Sequence, residues 1–220
     1  MTEIIDSSIS KSDIAYNYIK KRIINNTYKQ GTPLVERNLC KEIDISRTPV
    51  REALNRLASE GLVEVIPGIG TLVARLSYTN MVELFDVREM VEINVVKLFI
   101  ERKSEPSLTA LKKTFSKLKK AYDERNISDF MEYDTQFHAI LLKGSKHKLY
   151  SHIMNMIVDQ IEMLGVLAVD DDGVLEKSIK EHEQLLEAID ASEIETAQKI
   201  MCEHIRNARD NSLSKFFLLK

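Results

Sequence analysis

The stretch LVERNLCKEIDISRTPVREALNRL, residues 34–57, decides the fold of the N-terminal part of this chain. Placed at 100° per residue, residues 47–57 divide into an apolar face and a polar face. Ser46, just before them, is a good helix N-cap, and Pro49 lies in the first turn, where its missing N–H is not needed. The apolar face consists of Val50, Ala53, Leu54 and Leu57. The pattern predicts a short helix that packs by this face.

The polar face of this helix is basic and rich in hydrogen-bonding groups. Its members are Arg47, Thr48, Arg51, Glu52, Asn55 and Arg56. A helix that enters a major groove needs such a face, because it must reach both base edges and phosphates. Taken alone, however, a basic amphipathic helix is more often only solvated.

A hairpin directly after this helix favours the DNA-binding interpretation. The runs LVEVI and TLVA within residues 62–74 are short and strand-like, and the turn Pro67-Gly68-Ile69-Gly70 separates them. Glycine permits positive φ and a close approach of the backbone to a partner. The alternative is an ordinary surface hairpin, but after a helix-turn-helix the pattern favours the wing of a winged helix.

The segment from Gly31 to Leu62 resembles the N-terminal domain of GntR-type bacterial transcription regulators. The resemblance spans about residues 10–76, and its most specific part is the run Ser-Arg-Thr-Pro-Val-Arg-Glu-Ala-Leu, residues 46–54. It implies a winged helix-turn-helix that binds double-stranded DNA. We expect DNA contacts from Arg37, Ser46, Arg47, Thr48, Arg51, Arg56, Gly68 and Gly70, with Arg37 acting mainly on phosphate.

Composition favours a mainly α-helical protein of one large or two small domains. The chain has 220 residues with only 7 glycines and 4 prolines, and it lacks an apolar run long enough to span a membrane. Its start, MTEIIDSSIS, does not resemble a signal peptide. Cys40 and Cys202 lie on different predicted helices, so we interpret them as reduced thiols and expect a cytoplasmic protein.

The net charge of −3 conceals an uneven distribution. Residues 11–75 hold 11 lysines and arginines against 7 acidic residues, so this part is net positive and the remainder net negative. A basic excess in one part of the chain is expected when only that part meets phosphate. Because the excess is small, we expect two copies to bind DNA together as a homodimer.

Helices are predicted at 11–26, 36–43 and 47–59 in the first domain. Six more are predicted in a second, all-α bundle over residues 79–213, near 79–102, 107–124, 128–143, 147–169, 173–190 and 193–213. Caps and breakers separate them, among them Asn126-Ile127-Ser128, Asp170-Asp171-Asp172-Gly173 and Asp190-Ala191-Ser192.

Three histidines and one aspartate of the second domain lie on the apolar faces of their own predicted helices. Asp134 and His138 are four residues apart and share a face. His182 and His204 each fall within an apolar stripe of a later helix. Any one of them could be a satisfied core residue, but a divalent cation would satisfy all four together.

This spacing also resembles the metal-binding pattern of the FCD effector domain, which defines the FadR branch of the GntR regulators. The resemblance covers about residues 78–213 and implies a divalent metal at Asp134, His138, His182 and His204, beside a cavity for a small organic acid. Three imidazoles and a carboxylate suit Zn, Ni, Mn, Fe or Co. His147 and His152 match no ligand position, and we expect them at the surface.

Arg88 and Gln160 are the two candidate effector-binding residues. Arg88 lies in the apolar stripe of its predicted helix, so it must be paired, either with a ligand carboxylate or with an acid such as Glu92 or Asp134. Gln160 is phased with Ile153, Met156 and Leu164, which makes it a weaker candidate.

Three functions are compatible with these patterns. The favoured one is a ligand-responsive regulator whose dimer binds an inverted-repeat operator. A metal-dependent hydrolase is the second, because such a metal could activate water. The sequence shows no second carboxylate at a motif spacing for a general base, no H-E-x-x-H and no nucleophile motif, and Glu181 and Glu183 point about 100° from His182. The third is a regulator with a purely structural metal.

Overall fold

The structure, a computed structural model, describes residues 10–168 and 172–218. It forms two compact units, which meet in sequence between Leu76 and Ser77. In the described part, nine helices and one two-stranded sheet make up the fold, so the mainly α prediction is confirmed. None of the described helices is long and apolar enough to cross a membrane.

The first unit is a three-helix core followed by a hairpin. Its elements are α1 (Lys11–Ile24), α2 (Glu36–Ile43), α3 (Arg47–Ser59), β1 (Val63–Ile66) and β2 (Gly70–Val73). The strands are antiparallel, with Val63 opposite Val73 and Ile66 opposite Gly70. The segment before α2 joins this hairpin, since Leu34 N–H donates to Thr71 O at 2.8 Å.

The apolar face of α3 is buried as its pattern requires. Val50, Ala53, Leu54 and Leu57 are all at most 2% exposed, and α3 packs mainly on α1 and α2. Helix α1 ends two residues earlier than predicted, at Ile24, because Asn26 takes a left-handed φ of 55°. A left-handed residue also ends α2, where Asp44 has a φ of 56°.

The second unit contains only helices in the described residues. They are α4 (Tyr78–Arg102), α5 (Glu105–Asp123), α6 (Ile127–Gly144), α7 (Lys148–Ala168), α8 (Asp172–Ala191) and α9 (Ile194–Leu218). Ser77 caps α4 by accepting from Asn80 N–H, and Asn126 caps α6 by accepting from Asp129 N–H. Of the predicted break at 170–173, residues 170 and 171 lie outside the described residues, while Asp172 and Gly173 already belong to α8. Helix α9 continues five residues past its predicted end.

Helices α4 and α9 are the two longest of the described helices. They pack along each other, and their contact is the most extensive between any two helices of this unit. Their shared core includes Val91, Val95, Met201 and Ile205, each at most 1% exposed. Helices α6 and α8 add their inner faces, and the polar residues on those faces meet in the interior.

Candidate metal centre and DNA-reading surface

Four side chains predicted as metal ligands converge inside the second unit. Asp134 and His138 come from α6, His182 from α8 and His204 from α9, and one ligand atom of each lies within 4.8 Å of all the others. We call these four residues the metal cluster. His182 Nε2 is 3.3 Å from Asp134 Oδ1. The histidines are 8%, 1% and 5% exposed in chain order, so the cluster is an interior feature.

Each imidazole of the metal cluster is anchored through its Nδ1 atom. His182 Nδ1 lies 2.8 Å from the carbonyl oxygen of Ser178, and His204 Nδ1 lies 2.8 Å from Glu181 Oε2. His138 Nδ1 bonds Glu92 Oε2. A carbonyl or an ionised carboxylate can only accept, so each Nδ1 donates a proton, and in the neutral ring the lone pair is then on Nε2.

Two of these Nε2 atoms, those of His138 and His182, are buried and have no hydrogen-bond partner among the described residues. A buried polar atom left unpaired is costly, and it calls for an explanation in a native structure. Anchored Nδ1 atoms with Nε2 atoms directed at a common point are the arrangement that metal-bound histidines adopt. The residues present therefore fit a divalent metal, with three imidazole nitrogens and one carboxylate as donors.

The electrostatics of the metal cluster suit the same role. Burial lowers the pKa of His182 to about 3, and the neighbouring His204 contributes, so this ring is neutral at pH 7. Burial would raise the pKa of Asp134, but the surrounding histidines outweigh it and the net shift is downward. Neutral imidazoles and an ionised carboxylate are the forms that bind metal.

Two supporting carboxylates, Glu92 and Glu181, were not predicted to act at this site. Glu181 Oε2 accepts from His204, and its Oε1 accepts from Asn207 Nδ2 at 2.6 Å. On its own helix, Glu181 points away from His182, so it was not expected to act beside that histidine. It supports the histidine of the neighbouring helix instead. Glu92 was considered only as a partner of Arg88.

Arg88 does pair with Glu92, through Nε to Oε1 at 2.6 Å. Both side chains are buried, and Glu92 also hydrogen-bonds to His138. A series of hydrogen bonds therefore connects Arg88 through Glu92 to the metal cluster. Burial would raise the pKa of Glu92, but the adjacent His138 and Arg88, which both hydrogen-bond to its carboxylate, outweigh it and hold that pKa far below its ordinary value.

A cavity of about 300 Å³ lies beside the metal cluster, within the second unit. We call it the central cavity. Helices α4, α6, α7, α8 and α9 line it, and its wall includes Arg88, Asp134, His138 and His204. The structure therefore places Arg88 both in an ion pair and at the cavity wall.

Gln160 is not among the residues that line the central cavity. The prediction phased α7 on a stripe that included Met156, but Met156 is 62% exposed. The inner face of α7 runs instead through Met154, Val158, Ile161 and Gly165. Gln160 lies between these positions on the helix. We therefore no longer place it at the wall of the central cavity.

The remaining histidines and the cysteines lie apart from the metal cluster. His152 is exposed, and the ring of His147 is half-buried and stacks on Tyr150 at 3.8 Å. Cys40 and Cys202 are both free thiols.

In the first unit, the side chains predicted to read DNA are largely exposed. Arg37, Arg47, Thr48 and Arg51 are exposed on α2 and α3. Arg51 is held in place by Glu36, to which it donates from Nε at 2.9 Å and from Nη2 at 3.0 Å. Ser46 occupies the N-cap position of α3, but its side chain accepts no capping hydrogen bond.

Arg56 differs from the other predicted DNA-contacting residues. Its guanidinium lies 3.7 Å from the ring centroid of Tyr16 on α1. It also pairs with Asp13 at 3.2 Å and with Glu60 at 3.4 Å. These contacts direct it toward α1, and the helical wheel missed this because Arg56 lies at the border of the polar face. We therefore assign it a structural role within the first unit.

The hairpin ends in an exposed turn at Gly68 and Gly70. Their φ angles are +77° and +116°, values that other residues rarely adopt. A Cβ atom at either position would meet nothing within 4 Å, so packing does not require glycine there. Backbone conformation alone accounts for both glycines, and Ile69 between them is 69% exposed.

Comparisons with known proteins agree with both units. Residues 11–73 match the family model described as bacterial regulatory proteins, gntR family, and residues 83–207 match the FCD domain. The HTH-type transcriptional regulator YdhC of Bacillus subtilis is 26% identical over 200 residues, covering 87% of this chain and 89% of that protein. The gluconate operon transcriptional repressor of the same organism is 28% identical over 156 residues, covering 71% and 63%.

Solved structures share the fold at lower identity. A putative GntR transcriptional regulator from Rhodococcus sp. RHA1 is 20% identical and superposes with a TM-score of 0.80 over 94% of this chain and 99% of that one. A metal-free FCD domain is 18% identical, with a TM-score of 0.58 over 66% and 99%. The family matches cover both units, and the chain therefore belongs to the GntR family of bacterial transcription regulators, in the branch that carries an FCD domain.

Proposed function

We propose that this regulator binds a divalent metal at the metal cluster and a small organic acid in the central cavity, and that the acid changes its affinity for operator DNA. The observation that carries the proposal is the set of buried imidazoles. Each has its Nδ1 anchored, and two have unpartnered Nε2 atoms in a space that Asp134 also faces. A ligand cavity adjoins this set.

The metal would be held by Asp134, His138, His182 and His204, and Zn, Ni, Mn, Fe or Co suits such a donor set. When bound, it supplies a Lewis-acidic centre that attracts the oxygens of an anionic ligand. Glu92, Glu181 and the Ser178 carbonyl keep the three rings in the orientation that ligation needs. Arg88, at the cavity wall, adds a positive charge beside the same space.

Arg88 has one nitrogen committed to Glu92, and a guanidinium offers five N–H donors. The ion pair with Glu92 therefore does not exclude a second contact with a ligand carboxylate. Among the relatives, the gluconate operon repressors are named for control of an operon for an organic acid, which supports acids as the first ligands to test.

On DNA, we propose that two copies of the chain bind an inverted repeat with α3 of each in the major groove. Arg47, Thr48 and Arg51 would reach base edges, while Arg37 and the hairpin turn would contact the backbone. A coupling of about 1–3 kcal/mol between acid and DNA would change operator affinity by about 5–150-fold.

We propose a regulator rather than a hydrolase, although the metal cluster resembles a catalytic site. A metal-activated water needs a general base near it, and the two carboxylates that support the cluster are already committed. Glu92 bonds Arg88 and His138, and Glu181 bonds His204 and Asn207. The adjoining cavity also favours a ligand-sensing metal over a purely structural one.

The test uses the full chain, purified without chelator. Selection of bound fragments from random DNA should return an inverted repeat, and its affinity should then be measured with and without added acids. The proposal predicts a change of at least fivefold with some acid, dependent on metal. If a broad panel of acids changes neither operator affinity nor melting temperature, the sensing function is refuted. Turnover of ester or amide substrates would favour the hydrolase.

A further inference from the structure

The central cavity has a mostly apolar wall, although about half of the residues that line it are polar. Part of the reason lies in the pairing of several of these polar side chains within the protein. Arg88 Nε donates to Glu92, and Glu181 accepts from both His204 and Asn207. These groups direct their hydrogen bonds into the protein.

Ser212, on α9, also makes its side-chain hydrogen bond within the protein. Its hydroxyl donates to the carbonyl oxygen of Ala208 at 2.9 Å, and its side chain is 4% exposed. Ser178, on α8, contributes its carbonyl oxygen to His182. These hydrogen bonds position helices and imidazoles. The polar groups that make them are therefore less available to hydrogen-bond with a hydroxyl group of a ligand.

The apolar part of the wall comes mainly from large side chains on four helices. They include Phe85 on α4, Phe130 and Met131 on α6, Met154, Val158 and Ile161 on α7, and Leu175 on α8. Phe130, Met154, Ile161 and Leu175 are each at most 7% exposed, so they form a packed surface rather than a loose one. A ligand that fills this region exchanges water for hydrocarbon contacts.

We propose that the effector is a monocarboxylic acid with a hydrocarbon body, either an aliphatic chain or a single aromatic ring, and not a polyhydroxylated acid. This inference rests on the proposed function, because the carboxylate is placed at the metal cluster and Arg88. The body then lies against the apolar wall. The division of the lining into a charged end and a hydrocarbon region is what an amphiphilic acid of this kind matches.

Size limits the acid further. Water takes about 30 Å³ in the liquid, so the volume of the central cavity corresponds to roughly ten water-sized groups. Phenylacetate and octanoate each have ten non-hydrogen atoms and lie at this limit. A methylene in an apolar pocket changes binding roughly 10–200-fold, and an added hydroxyl is rejected by about 100-fold. Discrimination of these sizes is easily measured.

The first experiment compares matched acids on the full chain loaded with Zn²⁺. Dissociation constants are measured by calorimetry for phenylacetate, 3,4-dihydroxyphenylacetate, octanoate and gluconate. We expect phenylacetate to bind at least tenfold more tightly than 3,4-dihydroxyphenylacetate, and octanoate at least tenfold more tightly than gluconate. Phenylacetamide, which lacks the carboxylate, should bind at least tenfold more weakly than phenylacetate.

The second experiment changes the wall itself. Val158→Phe should fill part of the cavity and weaken phenylacetate binding at least tenfold, while acetate, which needs only the charged end, should keep its affinity. Met156→Phe adds the same bulk to the same helix at a position that is 62% exposed, and it should bind like the native chain. Val158→Thr, which is nearly isosteric, should reduce the preference for phenylacetate over its dihydroxy analogue.

The outcomes separate this inference from the proposed function. Gluconate or 3,4-dihydroxyphenylacetate binding as tightly as the unhydroxylated acids would overturn the hydrocarbon-body inference, and acid sensing would stand. If none of these acids binds the Zn²⁺-loaded chain, the hydrocarbon-body inference fails, and acid sensing is then decided by the broad panel of acids described above. Equal loss of phenylacetate binding in Val158→Phe and Met156→Phe would also overturn the inference, because the effect would not come from the cavity wall.

Discussion

At the scale of single residues, the imidazoles of the metal cluster divide their two nitrogens between two tasks. Nδ1 binds a fixed acceptor, and this sets both the tautomer and the rotation of the ring before any metal arrives. The rings also contact one another, with His138 and His204 stacked at 5.3 Å and His182 meeting His204 edge-on at 4.6 Å. We therefore expect a preorganised site in which the acceptors matter nearly as much as the ligands.

The first prediction concerns one of these acceptors. Glu181→Gln removes the negative charge that orients His204 but keeps the size of the side chain. We expect metal affinity to fall about 10–100-fold, as loss of a supporting partner does at other sites, whereas His182→Ala should abolish stoichiometric binding. Competition with a chromophoric chelator measures both.

The control for this prediction is His147→Ala, because His147 stacks on Tyr150 away from the metal cluster. It should retain about one metal ion per chain. Equal metal affinity in Glu181→Gln and the native chain would show that Glu181 does not support ligation. Absence of metal from native protein supplied with Zn²⁺ or Mn²⁺ would return the histidines to ordinary core residues.

The second prediction compares two arginines on α3. Arg51→Ala should lose about 1–3 kcal/mol of specific operator binding, because its exposed guanidinium is one of those proposed to read a base. Arg56→Ala should leave operator affinity nearly unchanged. It should instead lower the free energy of unfolding of the first unit by about 0.5–1 kcal/mol, through loss of the Tyr16 contact and partly exposed ion pairs.

Operator titration and urea unfolding of the same two variants make this comparison. Arg56→Ala that binds the operator as weakly as Arg51→Ala would restore Arg56 to the DNA-reading surface. Glu36→Gln is a useful third variant in this comparison, because it removes one of the two hydrogen bonds by which Glu36 holds the Arg51 guanidinium. We expect it to reduce discrimination between sequences more than overall affinity.

At the scale of helices, glycine decides how closely two elements approach. Gly144, the last residue of α6, lies against Phe99 of α4, and a Cβ atom there would be 2.4 Å from the ring. Phe99 is fully buried and cannot move aside easily. Among the described residues, a Cβ atom at Gly165 on α7 would meet only the terminal methyl of Met131, at 2.7 Å, which is the flexible end of a side chain.

The third prediction follows from this contrast. Gly144→Ala should destabilise the second unit by about 1–3 kcal/mol, because an added methyl overpacks a rigid contact. Gly165→Ala should be neutral or stabilising, since alanine favours the helix by up to about 1 kcal/mol and Met131 can turn away. Denaturant midpoints give the comparison. Similar destabilisation by both substitutions would contradict this account of the α4–α6 contact.

Helix periodicity was enough to predict which residues form the metal cluster. It did not identify Glu92 and Glu181, the carboxylates that bind two of its histidines. The apolar faces of α6, α8 and α9 predicted inward positions for His138, His182 and His204, because burial of a helix face is a local property of sequence. Glu181 reaches His204 across two helices, and no periodicity within one helix reveals such a contact. The Gln160 assignment failed because one exposed methionine, Met156, was counted as part of the buried stripe.

At the scale of the whole molecule, the metal cluster joins three helices that are distant in sequence. Residues 134, 182 and 204 lie on α6, α8 and α9, so a bound metal would restrain these three helices relative to one another. Metal binding to the native state alone stabilises it by RT ln(1 + [M]/Kd). The first unit contains no part of this cluster.

The fourth prediction is that chelation lowers the melting temperature of the second unit and leaves that of the first unit nearly unchanged. Binding at 100 times Kd contributes about 2.7 kcal/mol, which corresponds to several degrees for a unit of this size. Calorimetry with and without chelator measures the shift. His204→Ala protein should melt at the same temperature in both conditions, and an equal shift in that variant would mean that the metal binds elsewhere.

The ion pair between Arg88 and Glu92 also bears on which cations the interior accepts. Metal ligation needs the three rings neutral, and then Asp134, Glu92, Glu181 and Arg88 together carry a formal charge of −2. A doubly charged ion brings this interior to electroneutrality. Sodium or potassium would leave it with an uncompensated negative charge, and a trivalent ion would leave an excess of positive charge. In a low-dielectric interior, either imbalance is expensive. We therefore expect the count of buried charges to favour divalent over monovalent and trivalent ions before an acid binds.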